Sequence, residues 1–354
     1  MKHFPIFPSG RMLATLALLF SAPYAGWAQQ PLPYLVGTGT QLELVGFPVH
    51  SPALDTGTVS SVAGTLVGWS PSFTDRPFGA ALRAGQEYYA EVVGPTGHAW
   101  LGHRFELDEA VTKARTDHGL VAATSPCNTR GLPNSSLAGA RLEVRRHLTV
   151  DALWGEALKN RMVYGGERAS SFLFSVPSFP VSRDLNPFLE NGLVAWHVAS
   201  RPSARFPGPL IIPPGNAVGV DFGNVRGSAF GTTAVSRSWP TAAPLRPGVN
   251  LLAYPYSKDL RLGIDWGRSQ DGFVGLPKSN GNQDRIEILH DGSRLIYTPE
   301  SQANGGIRWR QMQPNSGRIW QTPAKYLDVI PVGQGFVLWK TKAHPTHLFH
   351  PPQP

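Results

Sequence analysis

Several groups of side chains have types that could do chemistry. His344, His347 and His350 recur every third residue near the C-terminus, a spacing that invites a metal reading. A metal needs ligands in fixed geometry with supporting hydrogen bonds behind them, whereas this segment carries Pro345, Pro351 and Pro352 and reads as a solvated tail. His98 and His103 could converge with Glu106 or Asp108, but no metalloprotease spacing accompanies them, and they read as surface positions. No Gly-x-Ser-x-Gly elbow is present to activate a serine, and Cys127, in a Ser-Pro-Cys-Asn loop, has no partnered motif. Carboxylate pairs such as Asp108 with Glu109, or Glu287 with Asp291, would suit glycoside hydrolysis at the right separation, but on hairpins they read as solvated. No catalytic residue, metal ligand or cofactor-binding residue is assigned on this basis, and no cofactor is expected.

Binding chemistry is better represented. Trp69, Trp100, Trp309 and Trp320, with Tyr88, Tyr89 and Tyr297, fall on or near predicted strands, and an exposed row of such rings would stack on sugars. Trp309, Trp320 and Tyr297 are the candidate glycan-binding residues. The competing reading is that tryptophans in β modules fill cores. Alternation does not decide between them, since Tyr88 and Tyr89 must point to opposite faces of a shared strand.

The elements that would position these groups are short strands. With 38 Gly and 33 Pro among 354 residues, turns must be frequent and long helices scarce. Strands are predicted at 42–47, and as a hairpin of 56–62 with 65–69 about Ala63 and Gly64. A second hairpin joins 86–93 to 98–107 across Gly94, Pro95, Thr96 and Gly97, and 142–150 follows as a strand. Asp151 is expected to cap a short helix carrying Leu153 and Trp154. Further strands fall at Phe172 and Phe174, 193–198 and 212–220. After them comes a hairpin of 285–290 with 293–298 about Asp291 and Gly292, then Ile307 with Trp309, then 318–321 and 330–339.

Two phrases occur twice. Ile-Pro-Pro-Gly-Asn-Ala-Val at 212–218 is echoed by Ile-Pro-Val-Gly-Gln-Gly-Phe at 330–336, and Leu-Val-Gly-Phe-Pro at 44–48 by Leu-Leu-Ala-Tyr-Pro at 251–255. The expected architecture is mainly β, with two related β-sandwich-like modules, the first carrying a β-hairpin-rich insertion. The boundaries read as a signal peptide at 1–28 and a first module at 29–222 with its insertion at about 53–150. A linker and leading strand at 223–246, a second module at 247–343 and a tail at 344–354 follow. The glycines of the closing phrases permit backbone conformations or close approaches that a side chain would block.

Lys2 and Arg11 precede an apolar run at 12–22, and small residues lead to Ala28, the pattern of a secretory signal cleaved after Ala28. Nothing downstream approaches the roughly 18 uninterrupted apolar residues of a membrane span, so no transmembrane segment is expected after cleavage. The single cysteine excludes an intramolecular disulfide. A formal net charge of +8, spread along the chain without a basic stripe, argues against a nucleic-acid partner and fits a surface with some attraction for anionic polymers.

Gly248, Asn250, Leu251, Leu252 and Pro255, then Trp309, then Pro331, Gly333, Gln334, Gly335 and Phe336 resemble a module common in secreted bacterial proteins. That module has a Gly-x-Asn-Leu opening, a Trp-bearing strand and a Pro-x-Gly-x-Gly-aromatic close. The whole chain, with Thr56, Gly57, Thr58, Val59, Ser61 and Val62 as a Thr-Gly-Thr-Val-x-Ser-Val hairpin, resembles an uncharacterised family of exported proteins expanded in Verrucomicrobia. Gln41, Ala217 and Val218 depart from the pattern in the first copy. The resemblance implies export and fold and carries no activity. The expected function is therefore a non-enzymatic envelope or extracellular protein, structural or interacting, located outside the cell or in the outer envelope or periplasm of a Gram-negative-type bacterium. Its partners would be envelope or extracellular polysaccharide or other surface proteins. The alternatives are a glycan-binding protein and a secreted hydrolase.

Overall fold

The computed structural model describes residues 30–31, 34–36, 43–47, 49–71, 77–124, 135–153, 173–176, 183–190, 193–198, 201–205, 209–221, 228–230, 233–243, 245, 247–266, 273, 283–290, 293–312, 325–341 and 347–351. These residues are mainly β and form several antiparallel sheets, including three of six strands. Among the described residues no helix is long and apolar enough to cross a membrane.

Two of the large sheets have the same strand order. In the first, the opening strand Glu43–Gly46 pairs with the closing strand Ala217–Asp221, and Leu173–Val176, Arg183–Glu190, Leu193–Val198 and Arg201–Arg205 follow in turn. In the second, Gly248–Ala253 pairs with Gly335–Lys340, and Arg285–His290, Ser293–Ser301, Ile307–Gln311 and Tyr326–Leu327 follow. The register agrees as well: Pro187 stands opposite Trp196 in one sheet and Pro299 opposite Trp309 in the other. A two-residue ladder before each closing phrase, Leu148–Thr149 with Ile211–Ile212 and Leu260–Arg261 with Val329–Ile330, completes the match.

The sheets meet through their opening and closing strands, and the contacts are reciprocal. Val45 bridges to Gln334, and Leu252 bridges to Asn216. The Gly46 amide donates to the Gly333 carbonyl at 2.8 Å, while the Ala253 amide donates to the Gly215 carbonyl at 3.1 Å. Gly215 and Gly333 have φ of 81° and 79°, a left-handed conformation that costs glycine little. Leu44, Ala217, Leu251 and Ala253 pack between the sheets. The separation is so small that a Cβ on Gly46 would lie 2.1 Å from the Ala253 Cβ, and one on Gly335 would lie 2.5 Å from the Ala217 Cβ. The repeated phrases are therefore where the two units touch.

Residues 47–147 stand in the first unit where the second has only 254–259, and they supply the third large sheet. Its order is Arg104–Glu106, Tyr88–Gly94, Arg141–Arg146, Ala53–Ala63, Leu66–Pro71 and Leu120–Val121. The two outer strands also meet: Leu107 bridges to Ala122, the Asp108 amide donates to the Val121 carbonyl at 2.7 Å, and the Ala123 amide to the Glu106 carbonyl at 2.8 Å. The strands thus close into a six-stranded barrel without a free edge. Tyr88, Ala90 and Val92 on one strand and Leu142 and Val144 on the next alternate inward, and with Trp69 and Phe105 they fill it. The first predicted hairpin forms, with Gly64 at φ 63° and Thr65 as its loop, one residue later than expected. Of 98–107 only Arg104–Glu106 is strand. Residues 98–103 fold instead into successive turns, closed by His98 to Pro95, Leu101 to His98 and His103 to Trp100 hydrogen bonds and permitted by positive φ at Gly97 and Gly102.

Two stretches hold more strand than their sequences suggest. The expected linker and leading strand at 223–246 contains Ser228–Phe230, paired with Tyr34–Val36, and Thr233–Ser236, paired with Gln30–Pro31 and Val49–His50. Within the expected tail, His347–Phe349 pairs with Thr241–Ala243. Each unit thus has a lead-in strand, before its opening strand, hydrogen-bonded to an exit strand after its closing one. Phe349 is fully buried among Tyr254, Tyr256 and Trp266, and this apolar anchor is why the segment is not solvated. Thr149, not Asp151, caps the turn at 150–153, its hydroxyl accepting from the Ala152 amide at 3.1 Å. Asp151 instead accepts from the Trp196 indole at 3.2 Å.

The substitution Gly46→Ala should lower stability by about 2–3 kcal/mol through overpacking, as read from urea unfolding. Combining it with Ala253→Gly should restore most of that loss, because the pair needs one Cβ fewer and not a particular residue. Failure of the second change to rescue would remove the close approach as the cause.

Candidate ligand-binding cleft

The outer face of the barrel is not exposed along Tyr88–Gly94; every residue of that strand is buried. What covers it is the segment 237–243 leading into the second unit, and the seam between them is polar. Arg237 and Glu91, both without exposed side-chain surface, form an ion pair. Arg237 also donates to the Thr241 hydroxyl at 2.9 Å and lies 3.4 Å from the Tyr89 hydroxyl. Burial works against the Arg237 charge, but Glu91 outweighs it and holds the guanidinium pKa above its ordinary value. Tyr89 is pushed up to about 12, chiefly by burial, so its hydroxyl stays protonated. Tyr256 donates to the Trp239 carbonyl at 2.7 Å, with the Phe349 carbonyl 2.9 Å away, tying the lead-in segment to the exit strand.

Further along the seam, Arg104 donates to the carbonyls of Pro214 and Ala242 at 3.1 and 3.0 Å, linking the barrel to both units. Arg145 pairs with Glu143 and donates to the Ser51 carbonyl, and His147 meets Glu106. Gly102 is required here, because a Cβ would lie 2.3 Å from the Pro240 carbonyl oxygen. These contacts hold the Trp239 ring in place, with the guanidinium carbons of Arg145 and Arg237 at 5.3 and 5.6 Å from it and the His50 ring at 5.3 Å.

Above this seam opens a cleft of about 620 Å³. The barrel contributes Val93, Thr96, Leu101, Arg141 and Glu143, and the lead-in segment contributes Ser238, Trp239 and Pro240. Ile264, Asp265, His350 and Pro351 come from the second unit. Ile264 is 49% exposed, unusual for a large apolar side chain, and Trp239 is half-buried. Both acids of the cleft are engaged: Glu143 by Arg145, and Asp265 by Arg261 through two side-chain hydrogen bonds of 3.0 and 2.8 Å.

The residues singled out from the sequence lie elsewhere. Trp309 is fully buried in the second unit, parallel to Trp266 at 6.4 Å between centroids and edge-on to Phe273 at 5.1 Å. Tyr297 is 8% exposed, and burial raises its phenol pKa. Neither ring can receive a sugar, because both lie on the sheet face covered by residues 254–266. Trp320, Cys127 and the 318–321 strand lie outside the described residues. His103, expected at the surface, is buried edge-on to Trp100, Glu106 meets His147, and Asp108 accepts from the Val111 amide at 3.0 Å to cap the helix Glu109–Lys113, so these groups do not converge on a metal. Among the described residues, no three His, Cys, Asp or Glu side chains come together as a metal would need. Trp239 was missed because the Ser-Trp-Pro around it falls in the stretch read as a linker. A bulky aromatic inside a supposedly small, polar linker was the available signal. Comparison with protein-family models, with curated proteins and with solved structures finds no match to this chain.

Arg237→Leu should destabilise the protein by about 3–5 kcal/mol in urea unfolding, since it strands the buried Glu91 charge, and adding Glu91→Leu should recover much of the loss. Burial, with the Arg104 charge adding to it, lowers the His103 pKa to about 4 from 6.5. As pH falls from 6.5 towards 4, the unfolded chain takes up a proton that the folded one excludes, so stability is lost by up to about 3 kcal/mol. His103→Gln should lose less stability than the parent between pH 7 and pH 4.5 in the same measurement.

Proposed function

We propose that the chain is an exported, non-enzymatic binding component of the envelope or extracellular space, and that the cleft over Trp239 is its ligand site, taking a saccharide. The observation that carries this reading is a fixed aromatic ring in a cleft of the size small ligands occupy, with the hydroxyls of Thr96 and Ser238 and the apolar Ile264 beside it. An aromatic face and scattered hydrogen-bonding groups suit the alternating C–H and O–H surfaces of a sugar. Binding is favoured over hydrolysis because the two carboxylates of the cleft, Glu143 and Asp265, are each taken up by an arginine, Arg145 and Arg261.

The signal-like N-terminus supports export, and the short motifs shared with exported proteins of Verrucomicrobia agree with it. The two outer units are further proposed to be copies of one module. Their common strand order, the matched Pro–Trp register and the reciprocal bridges support that origin. On this reading the duplicated frame is structural and the inserted barrel supplies the binding wall.

The test is calorimetric titration of the mature protein against a panel of envelope and environmental polysaccharides. Saturable binding without turnover is expected, weakened about tenfold or more, about 1.4 kcal/mol, by Trp239→Ala in a variant whose near-ultraviolet circular dichroism is otherwise retained. Turnover of any bound polymer, or affinity indifferent to Trp239, would reject the assignment.

A further inference from the structure

Building on the saccharide reading of the cleft, we infer that the ligand is acidic, a uronate-bearing glycan whose carboxylate is bound by Arg141. The cleft contains two acids and each already has its own arginine, Arg145 for Glu143 and Arg261 for Asp265. Arg141 is a third, and among the described residues it forms no ion pair. Among the described residues its polar contact is a long one, Nη2 to the Val93 carbonyl at 3.5 Å. A guanidinium has five N–H donors in a planar fork that matches a carboxylate, so most of its donor capacity is left for a ligand.

The side chain is also positioned. Arg141 pairs with Gly94 across the barrel strands, and the guanidinium lies over that glycine, with Nε, Cζ and Nη2 at 3.3, 3.4 and 3.4 Å from where a Cβ would stand. A side chain at position 94 would press on the guanidinium and shift it by a few tenths of an ångström. Arg141 is exposed on the cleft wall, so its planar fork is accessible to a carboxylate. Trp239, half-buried on the opposing segment, lines the same cleft, and Thr96 and Ser238 are exposed beside it. A cation and an aromatic side chain in one cleft favour an acidic sugar over a neutral one. The net charge of +8, or +6 without Lys2 and Arg11 of the expected signal, adds a long-range attraction for a polyanion.

The experiment compares polygalacturonate and alginate oligomers with their carboxyl-reduced, neutral counterparts by calorimetry, using the mature protein and its Arg141→Gln and Arg141→Lys variants. The parent is expected to bind at least one acidic oligomer tenfold or more tighter than its neutral form. Arg141→Gln should abolish that preference while leaving the neutral affinity within about twofold, and Arg141→Lys should keep part of it, since charge survives without the fork. Equal affinity of the parent for both forms, or a preference that survives Arg141→Gln, overturns the acidic assignment and leaves saccharide binding standing. Binding of neither form, with none to the wider panel, overturns the saccharide reading and this inference together.

Discussion

At Gly46 and Gly335 two β backbones come closer than side chains on both strands would permit, and the arrangement of the whole molecule follows from that approach. Each glycine faces an alanine of the other unit, Ala253 and Ala217, so each contact has one methyl where two would collide. The same approach brings Gly215 and Gly333 within reach of the opposite unit's amides. Hydrogen bonds and bridges are therefore made twice, once in each direction, and the two six-stranded sheets are held as a symmetric pair. Neither sheet needs a long linker, because the strands that begin and end each unit are themselves the junction.

Once that pair is fixed, the inserted barrel has little freedom. It leaves the first unit just after Gly46 and returns just before Leu148, so its ends are anchored beside the junction. Docking then depends on polar chemistry. Glu91 and Arg237 are buried together, and their mutual compensation specifies where segment 237–243 lies along the barrel face. Ion pairs of this kind contribute less to stability than to uniqueness, since either partner alone would be costly to bury. The cleft is a consequence of the docking: its walls come from a barrel, a lead-in segment and an exit strand that no single sheet brings together.

The part of this legible in the sequence was local. Alternating apolar residues, Gly-containing turns and repeated phrases identified the strands Glu43–Gly46, Leu193–Val198 and Ser293–Ser301, and the greater length of the first unit showed as spacing between echoed phrases. A leading strand was expected somewhere in 223–246 without its position, and the exit strands escaped notice, because three-residue strands such as Thr241–Ala243 and His347–Phe349 carry no periodicity of their own and exist only through long-range pairing. The site escaped for a related reason. Trp309 and Tyr297 look like platform residues by type, yet which face of a strand is covered depends on a distant loop, here 254–266. Trp239, Arg141 and Asp265 share no element, and their meeting is set by the seam.

This division has a physical logic. Trp196 is buried in one outer unit and Trp266 with Trp309 in the other, and a ring consumed in that way cannot also face a ligand. The barrel is in the same position, its interior closed around Trp69 and Trp100. Aromatic surface for recognition must then come from rings outside these cores. The lead-in to the second unit meets that condition: buried on one side by Arg237 and Thr241, pinned through its carbonyl by Tyr256, and open on the other side at Ser238 and Trp239. The Trp239 ring therefore sits where two separately packed bodies meet, with the buried Arg237–Glu91 pair beside it.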